Sequence, residues 1–137
     1  MNDIEGEGAT MPEKLSVLVV EDEQIIARDL AAAVEEAGCD VVGPVGTVRE
    51  ALALIDDNVG AAILDITLRD GDVVPVANLL NRRGIPYVVQ TGGGFPFRIK
   101  NEMPDALVFF KPVSSTRLVH YLLALAASRA SATRNAA

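Results

Sequence analysis

The sequence predicts a three-layer α/β domain built around one parallel β-sheet. One sign is alternation. Five short apolar runs, rich in Val, Ile and Leu, are separated by stretches in which apolar residues mostly recur three or four positions apart. Strands that alternate with helices form parallel βαβ units and carry helices on both faces of the sheet. The other sign is where polar residues fall. Four of the five runs lead into groups with chemistry, namely Glu21-Asp22-Glu23, Asp65, Thr91 and Lys111. Open parallel sheets collect functional residues at the carboxyl ends of their strands.

The elements follow in order. Leu15–Val20 (LSVLVV) reads as a buried first strand by its length and β-branching. Ile26, Leu30, Ala33, Val34 and Ala37 recur at helical spacing, and Gly38 stops the helix. Asp40–Gly43 reads as the second strand, and Val48, Leu52 and Ile55 mark the second helix. Ala61–Leu64 is the third strand and leads onto Asp65; Val76, Leu79 and Leu80 mark a third helix closed by Gly84. Ile85–Gln90 is the fourth strand. The stretch from Gly92 to Asp105 holds three Gly with Pro96 and Pro104, a poor helix composition. It predicts a fourth helix that is short, displaced or absent. Ala106–Phe110 is the fifth strand, and Leu118, Leu122 and Leu125 build the last helix.

The 137 residues suit one domain and leave no room for a separate output domain. Residues 1–13 and 128–137 are expected to be loose tails around a domain at 14–127. The formal charge of −7, with scattered arginines, argues against a nucleic-acid surface. Cys39 is the only cysteine, so no intramolecular disulfide or multi-cysteine metal site can form, and it reads as a packing residue. The N-terminus lacks the apolar centre of a signal peptide, and no run approaches the roughly 20 residues of a membrane helix. A cytoplasmic protein without a membrane partner is expected.

Glu21, Asp22 and Asp65 converge if the first and third strands are neighbours. Clustered carboxylates repel one another, and a hard dication such as Mg²⁺ relieves the repulsion. A lone Asp at a strand end is ordinarily a cap or turn residue, and Asp22 is placed to cap the first helix. That plain reading weakens when three carboxylates, a Thr and a Lys share one sheet edge. Lys111 precedes Pro112, where a cis bond is possible, and its ammonium can pair with a carboxylate or a phosphoryl oxygen. Thr91 can donate a hydroxyl hydrogen bond to the same oxygen. A carboxylate nucleophile, Mg²⁺, a lysine and a hydroxyl are the parts of phosphoryl transfer onto Asp65. The Gly92-Gly93-Gly94 run lacks the Lys-Ser/Thr of a P-loop and reads as a turn.

The set VLVVEDE (Val17–Glu23), ILD (Ile63–Asp65), Thr91-Gly92 and Lys111-Pro112 resembles the receiver domains of bacterial response regulators, across Leu15 to Ala127. The resemblance implies a flavodoxin-like (βα)5 fold of strand order 2-1-3-4-5. It implies Asp65 as phosphoacceptor, with Asp22, Asp65 and the Thr67 carbonyl as direct Mg²⁺ ligands and Glu21 acting through water. Thr91 would be the switch hydroxyl, Lys111 the phosphoryl-binding lysine and Pro112 its conformational neighbour. The donor would be a phosphohistidine on a histidine kinase or phosphotransfer protein, and a downstream protein target is implied but unidentified. Such a domain is a phosphoacceptor that catalyses only its own phosphorylation and dephosphorylation. His120, in the last helix, reads as a surface residue and not as the donor. Thr67 and Gly93 flank the expected phosphoryl position.

The sequence departs from the family where Val108 replaces the usual switch aromatic. It partly resembles the FAT GUY subgroup through Pro86, Thr91, Gly92 and Gly94, but has Val89, Gln90 and Gly93 at the other positions. Phe95 or Phe97 could supply the missing ring. With the fourth helix atypical, the oligomeric state stays open. Two other readings compete. One is a receiver-like scaffold that binds partners without using Asp65. The other is a flavin-binding α/β domain, which the Glu21-Asp22-Glu23 loop disfavours by repelling a flavin phosphate.

Overall fold

A computed structural model describes residues 14–136. The expected N-terminal tail, residues 1–13, lies outside the described residues. The chain alternates β1 (Ser16–Val20), α1 (Gln24–Glu36), β2 (Asp40–Val45), α2 (Val48–Leu54) and β3 (Val59–Asp65). A hairpin of β4 (Thr67–Leu68) and β5 (Gly71–Asp72) follows, then α3 (Val74–Arg82), β6 (Tyr87–Thr91), α4 (Phe97–Glu102), β7 (Leu107–Phe110) and α5 (Ser115–Ala136). The five-stranded sheet runs β2-β1-β3-β6-β7 with every pairing parallel. Setting the antiparallel hairpin aside, this is the expected 2-1-3-4-5 order.

The two sheet faces carry separate cores because side chains alternate along a strand. Val17, Val19, Ala61, Ile63 and Val88 pack on one face against Leu30, Val34, Leu118 and Leu122 of α1 and α5. Leu18, Val20, Ala62, Leu64 and Val89 pack on the other face against α2, α3 and α4. Cys39 is buried in the first of these cores and carries a free thiol.

Local sequence explains the helix limits. α1 buries Ala27, Leu30, Ala33 and Val34, one stripe of its surface. It ends where Gly38 takes φ +85° and the Gly38 and Cys39 amides donate to the Glu35 and Val34 carbonyls. Thr47 caps α2: its hydroxyl oxygen accepts from the Glu50 amide at 3.1 Å. Pro75 sits in the first turn of α3, where its missing N–H costs nothing. The glycines and prolines of 92–105 leave α4 only six residues, so the fourth helix is short, as expected.

The last helix and the second strand are among the elements whose limits differ from the sequence expectation. α5 does not loosen at Ser128 but continues to Ala136; this stretch has no Gly or Pro and is rich in alanine, so nothing stops the helix. Residues 127–132 are exposed. The second strand also runs two residues further, to Val45, past a bulge at Gly43-Pro44. Gly43 adopts φ +92° there, and the Gly43–Pro44 bond is cis. Among the described residues no helix is long and apolar enough to cross a membrane.

Candidate functional site

The site forms where the β1, β3, β6 and β7 ends meet. Glu21 continues the Val17–Val19 face, Asp65 the Ala61–Ile63 face, Gln90 the Val88 face and Lys111 the Phe109 face. The strand order therefore sets Glu21, Asp65, Gln90 and Lys111 side by side as one polar layer over the α1/α5 core. The β2 bulge contributes to this placement, because it brings the Val45 carbonyl to the Glu21 amide at 2.8 Å.

Glu21 and Asp65 are buried and Asp22 is half-buried. One carboxylate oxygen from each lies within 4.8 Å of the others. Lys111 reaches across the layer, with Nζ 3.1 Å from Glu21 Oε1, 3.4 Å from Asp65 Oδ2 and 3.6 Å from Glu23 Oε1. Burial pushes the Glu21 carboxyl up to about 7, and the hydrogen bond and negative charge of Asp65 add to the rise. For Lys111, burial works against the ammonium, but the Glu21 and Asp65 carboxylates outweigh it and hold the group above the ordinary lysine value. The Lys111–Pro112 bond is cis, as the sequence allowed.

Asp22 does not cap α1. The capping position is Glu23, which makes no side-chain cap, so Asp22 is left to the acidic cluster. Thr91 is buried at the end of β6, and its hydroxyl donates to the Gly94 carbonyl at 2.7 Å within its own loop. Gly94 takes φ +95°, a conformation that glycine supplies without strain. Thr67 is exposed and opens the hairpin two residues beyond Asp65. Val108 and Phe95 both pack against the core on the α2–α4 face, whereas Phe97 is 77% exposed. Of the two candidate rings, Phe95 thus lies on the same face of the sheet as Val108. His120 is exposed on α5.

Two contributions were not anticipated. Gln90 is 2% exposed, and its amide donates to Glu21 Oε1 at 3.0 Å. Its place two residues after Val88, on the same face, was the available signal. The hairpin is the other. The Asp70 carboxylate accepts from the Val48 and Arg49 amides at 2.6 and 3.1 Å, and Asp72 pairs with Arg98 of α4 at 2.9 Å. These partners lie 21 to 26 residues away along the chain, beyond any local pattern.

The donor set fits a hard dication. It offers only oxygen atoms, two of its three carboxylates are buried, and among the described residues a single ammonium pairs with them. A hydroxyl and a lysine lie at the neighbouring strand ends, which suits a tetrahedral oxyanion beside the metal.

No protein-family model matches the sequence. The chain is 34% identical over 102 residues to the phyllosphere-induced regulator PhyR of Methylorubrum extorquens; the match covers 70% of this chain and 38% of that protein. The chain thus spans well under half the length of this relative. It is 38% identical to SdrG from Sphingomonas melonis Fr1, covering 85% of this chain and 99% of that one, with a TM-score of 0.69. A response regulator receiver protein from Sinorhizobium medicae superposes with a TM-score of 0.76 at 23% identity, covering 85% and 98% of the two chains.

Proposed function

Because the chain belongs to the response-regulator receiver domains of two-component signalling, we propose that Asp65 accepts a phosphoryl group from a phosphohistidine and that Thr91 and Lys111 read the product. The observation that carries this reading is the Lys111 ammonium held between two buried carboxylates, 3.4 Å from Asp65 and 3.1 Å from Glu21. Two buried carboxylates and a half-buried third, with one ammonium set among them, are poised to exchange partners when a dianionic group arrives.

Asp22 and Asp65 would hold Mg²⁺ directly, with the Thr67 carbonyl as a third ligand and Glu21 acting through water. Bound there, the ion would neutralise the carboxylates and the phosphoryl oxygens. One Asp65 oxygen attacks phosphorus. The O–P bond forms as the P–N bond to the donor imidazole breaks, and the electron pair stays on the ring nitrogen. Lys111 turns from Glu21 and Asp65 to a phosphoryl oxygen, stabilising charge as it develops. The Thr91 hydroxyl leaves the Gly94 carbonyl and donates to another phosphoryl oxygen, which frees the 92–94 loop to rearrange.

Phosphorylation thereby shifts the protein between two arrangements of that loop and the β7 end. The donor is a histidine kinase or phosphotransfer protein, and the output is protein binding or phosphate relay. The domain catalyses only its own phosphorylation and dephosphorylation. Intact-mass measurement with acetyl phosphate, with and without Mg²⁺, tests the reading on wild type and Asp65→Asn. A labile adduct that needs Mg²⁺ and is lost in the variant is expected. No adduct, with a panel of histidine kinases also tried as donors, would overturn it in favour of the phosphate-independent scaffold.

A further inference from the structure

Glutamine is ordinarily an exposed residue, and burying its amide is costly unless both ends find partners. Gln90 is nonetheless 2% exposed at the end of the central strand β6. It stands in the polar layer between Asp65, its register partner on β3, and Lys111 at the end of β7. An apolar residue continuing the Val88 face would fill this place without that cost. The one hydrogen bond described for its side chain goes to Glu21 Oε1, 69 residues away.

That bond completes a three-donor hold on Glu21. Oε2 accepts from the Glu23 amide at 3.1 Å. Oε1 is shared by Gln90 Nε2 at 3.0 Å and Lys111 Nζ at 3.1 Å. The two donors to Oε1 differ in kind. The lysine is a charge on a flexible stem, which the proposed function turns to a phosphoryl oxygen, and its ammonium occupies the carboxylates that a dication would take. The amide is neutral, fixed by burial on a central strand, and does not compete. When Lys111 leaves, Gln90 and the Glu23 amide still hold both oxygens of Glu21.

We propose that Gln90 is a positioning residue of the Asp65 site: its buried amide donates to Glu21 and fixes that carboxylate in the orientation that cation binding needs, independently of Lys111. The inference rests on the reading of Glu21, Asp22 and Asp65 as a Mg²⁺ site. It assigns this chain a support for the acidic pair that the receiver motifs do not contain.

Gln90→Met keeps the side-chain shape and removes the donor; Gln90→Ala removes both. Calorimetric titration of the folded chains with Mg²⁺ alone is the primary measurement, with melting temperature recorded in parallel. Loss of a hydrogen bond that orients a metal-site carboxylate should weaken Mg²⁺ binding by about 10-fold or more. The Mg²⁺ concentration for half-maximal phosphorylation by acetyl phosphate should rise by the same factor, while the rate at saturating Mg²⁺ stays within about twofold of wild type. A merely structural role would lower stability without that split. Mg²⁺ affinity unchanged in either folded variant overturns the inference, as does loss of folding in both, which would make Gln90 a structural residue. If wild type binds Mg²⁺ and the variants match it, only the Gln90 assignment fails. If wild type binds none, the Asp65 reading fails with it.

Discussion

Replacing Lys111 with methionine removes the cation between Glu21 and Asp65 while keeping most of the stem that runs beside Gly92. Both carboxylates are buried, with side-chain exposures of 0% and 8%, and that of Lys111 is 17%. Removing one partner of a fully buried pair costs about 3–5 kcal/mol, whereas an exposed pair is worth about 0–1 kcal/mol. This lysine lies at the rim of the layer, so the expected loss without metal is about 2–3 kcal/mol. In a domain of this size that lowers the melting temperature by about 10 °C. Saturating Mg²⁺ should change the comparison. A ligand at free concentration L stabilises by RT ln(1 + L/Kd), and in the variant the ion meets no competing ammonium, so at the same Mg²⁺ concentration an about tenfold tighter Kd recovers about 1.4 kcal/mol. Thermal melts of both proteins in chelator and in saturating Mg²⁺ check this, with the deficit expected to fall to about half when Mg²⁺ is added. A deficit of the same size under both conditions would show that Lys111 and the ion do not share carboxylates, and would refute the reasoning.

Four other substitutions address the surrounding frame. Gly43→Ala places a Cβ 2.9 Å from the Val45 amide nitrogen and 3.0 Å from the Val19 carbonyl at φ +92°; a urea melt should show a loss of about 2 kcal/mol or more, and a loss near zero would deny the bulge its role in seating Glu21. Asp70 is held below the usual aspartate range, chiefly by the Val48 amide and further by the Arg49 amide. Its stabilising effect is therefore present above the ordinary aspartate value and disappears as pH falls through the lowered one. The melting-temperature gap between wild type and Asp70→Asn should be widest near neutral pH and close on acidification; a gap independent of pH counts against the hairpin clamp. Phe95→Ala should cost about 1–2 kcal/mol and alter the dependence of partner binding on phosphorylation, because Phe95 packs on the Val108 side of the core. Phe97→Ala, at a 77% exposed position, should change stability by about 0.5 kcal/mol or less.

Much of this protein was legible before any coordinates. Period-two and period-3.6 patterns are local, so the five main strands and the amphipathic helices could be read from the positions of Val, Leu, Ile and Ala. Glu21, Asp22, Asp65 and Lys111 were legible for a related reason. In a parallel sheet every strand end faces one edge, so residues ending three different runs share that edge and meet where the strand order makes their strands neighbours. Glycine and proline content likewise foretold the shortness of α4. Local composition misled at the last helix, where a polar, alanine-rich end read as loose but continues to Ala136.

Contacts between distant segments could be decided only by tertiary structure. Whether Asp70 reaches back to the start of α2, or Asp72 pairs with Arg98, depends on how a six-residue hairpin folds over the sheet edge, and no periodicity records that. Thr91 could be named, yet only the loop geometry turns its hydroxyl to the Gly94 carbonyl. Gln90 shows the division most sharply. Its place on the Val88 face follows from alternation, but its partner Glu21 is set by strand order, which seats β3 between β1 and β6. The sequence by itself determined which groups crowd the sheet edge, because strand polarity and side-chain alternation are local rules. Only the fold decided which of those groups touch, because a hydrogen bond or ion pair is settled within a few tenths of an ångström by packing across the whole domain.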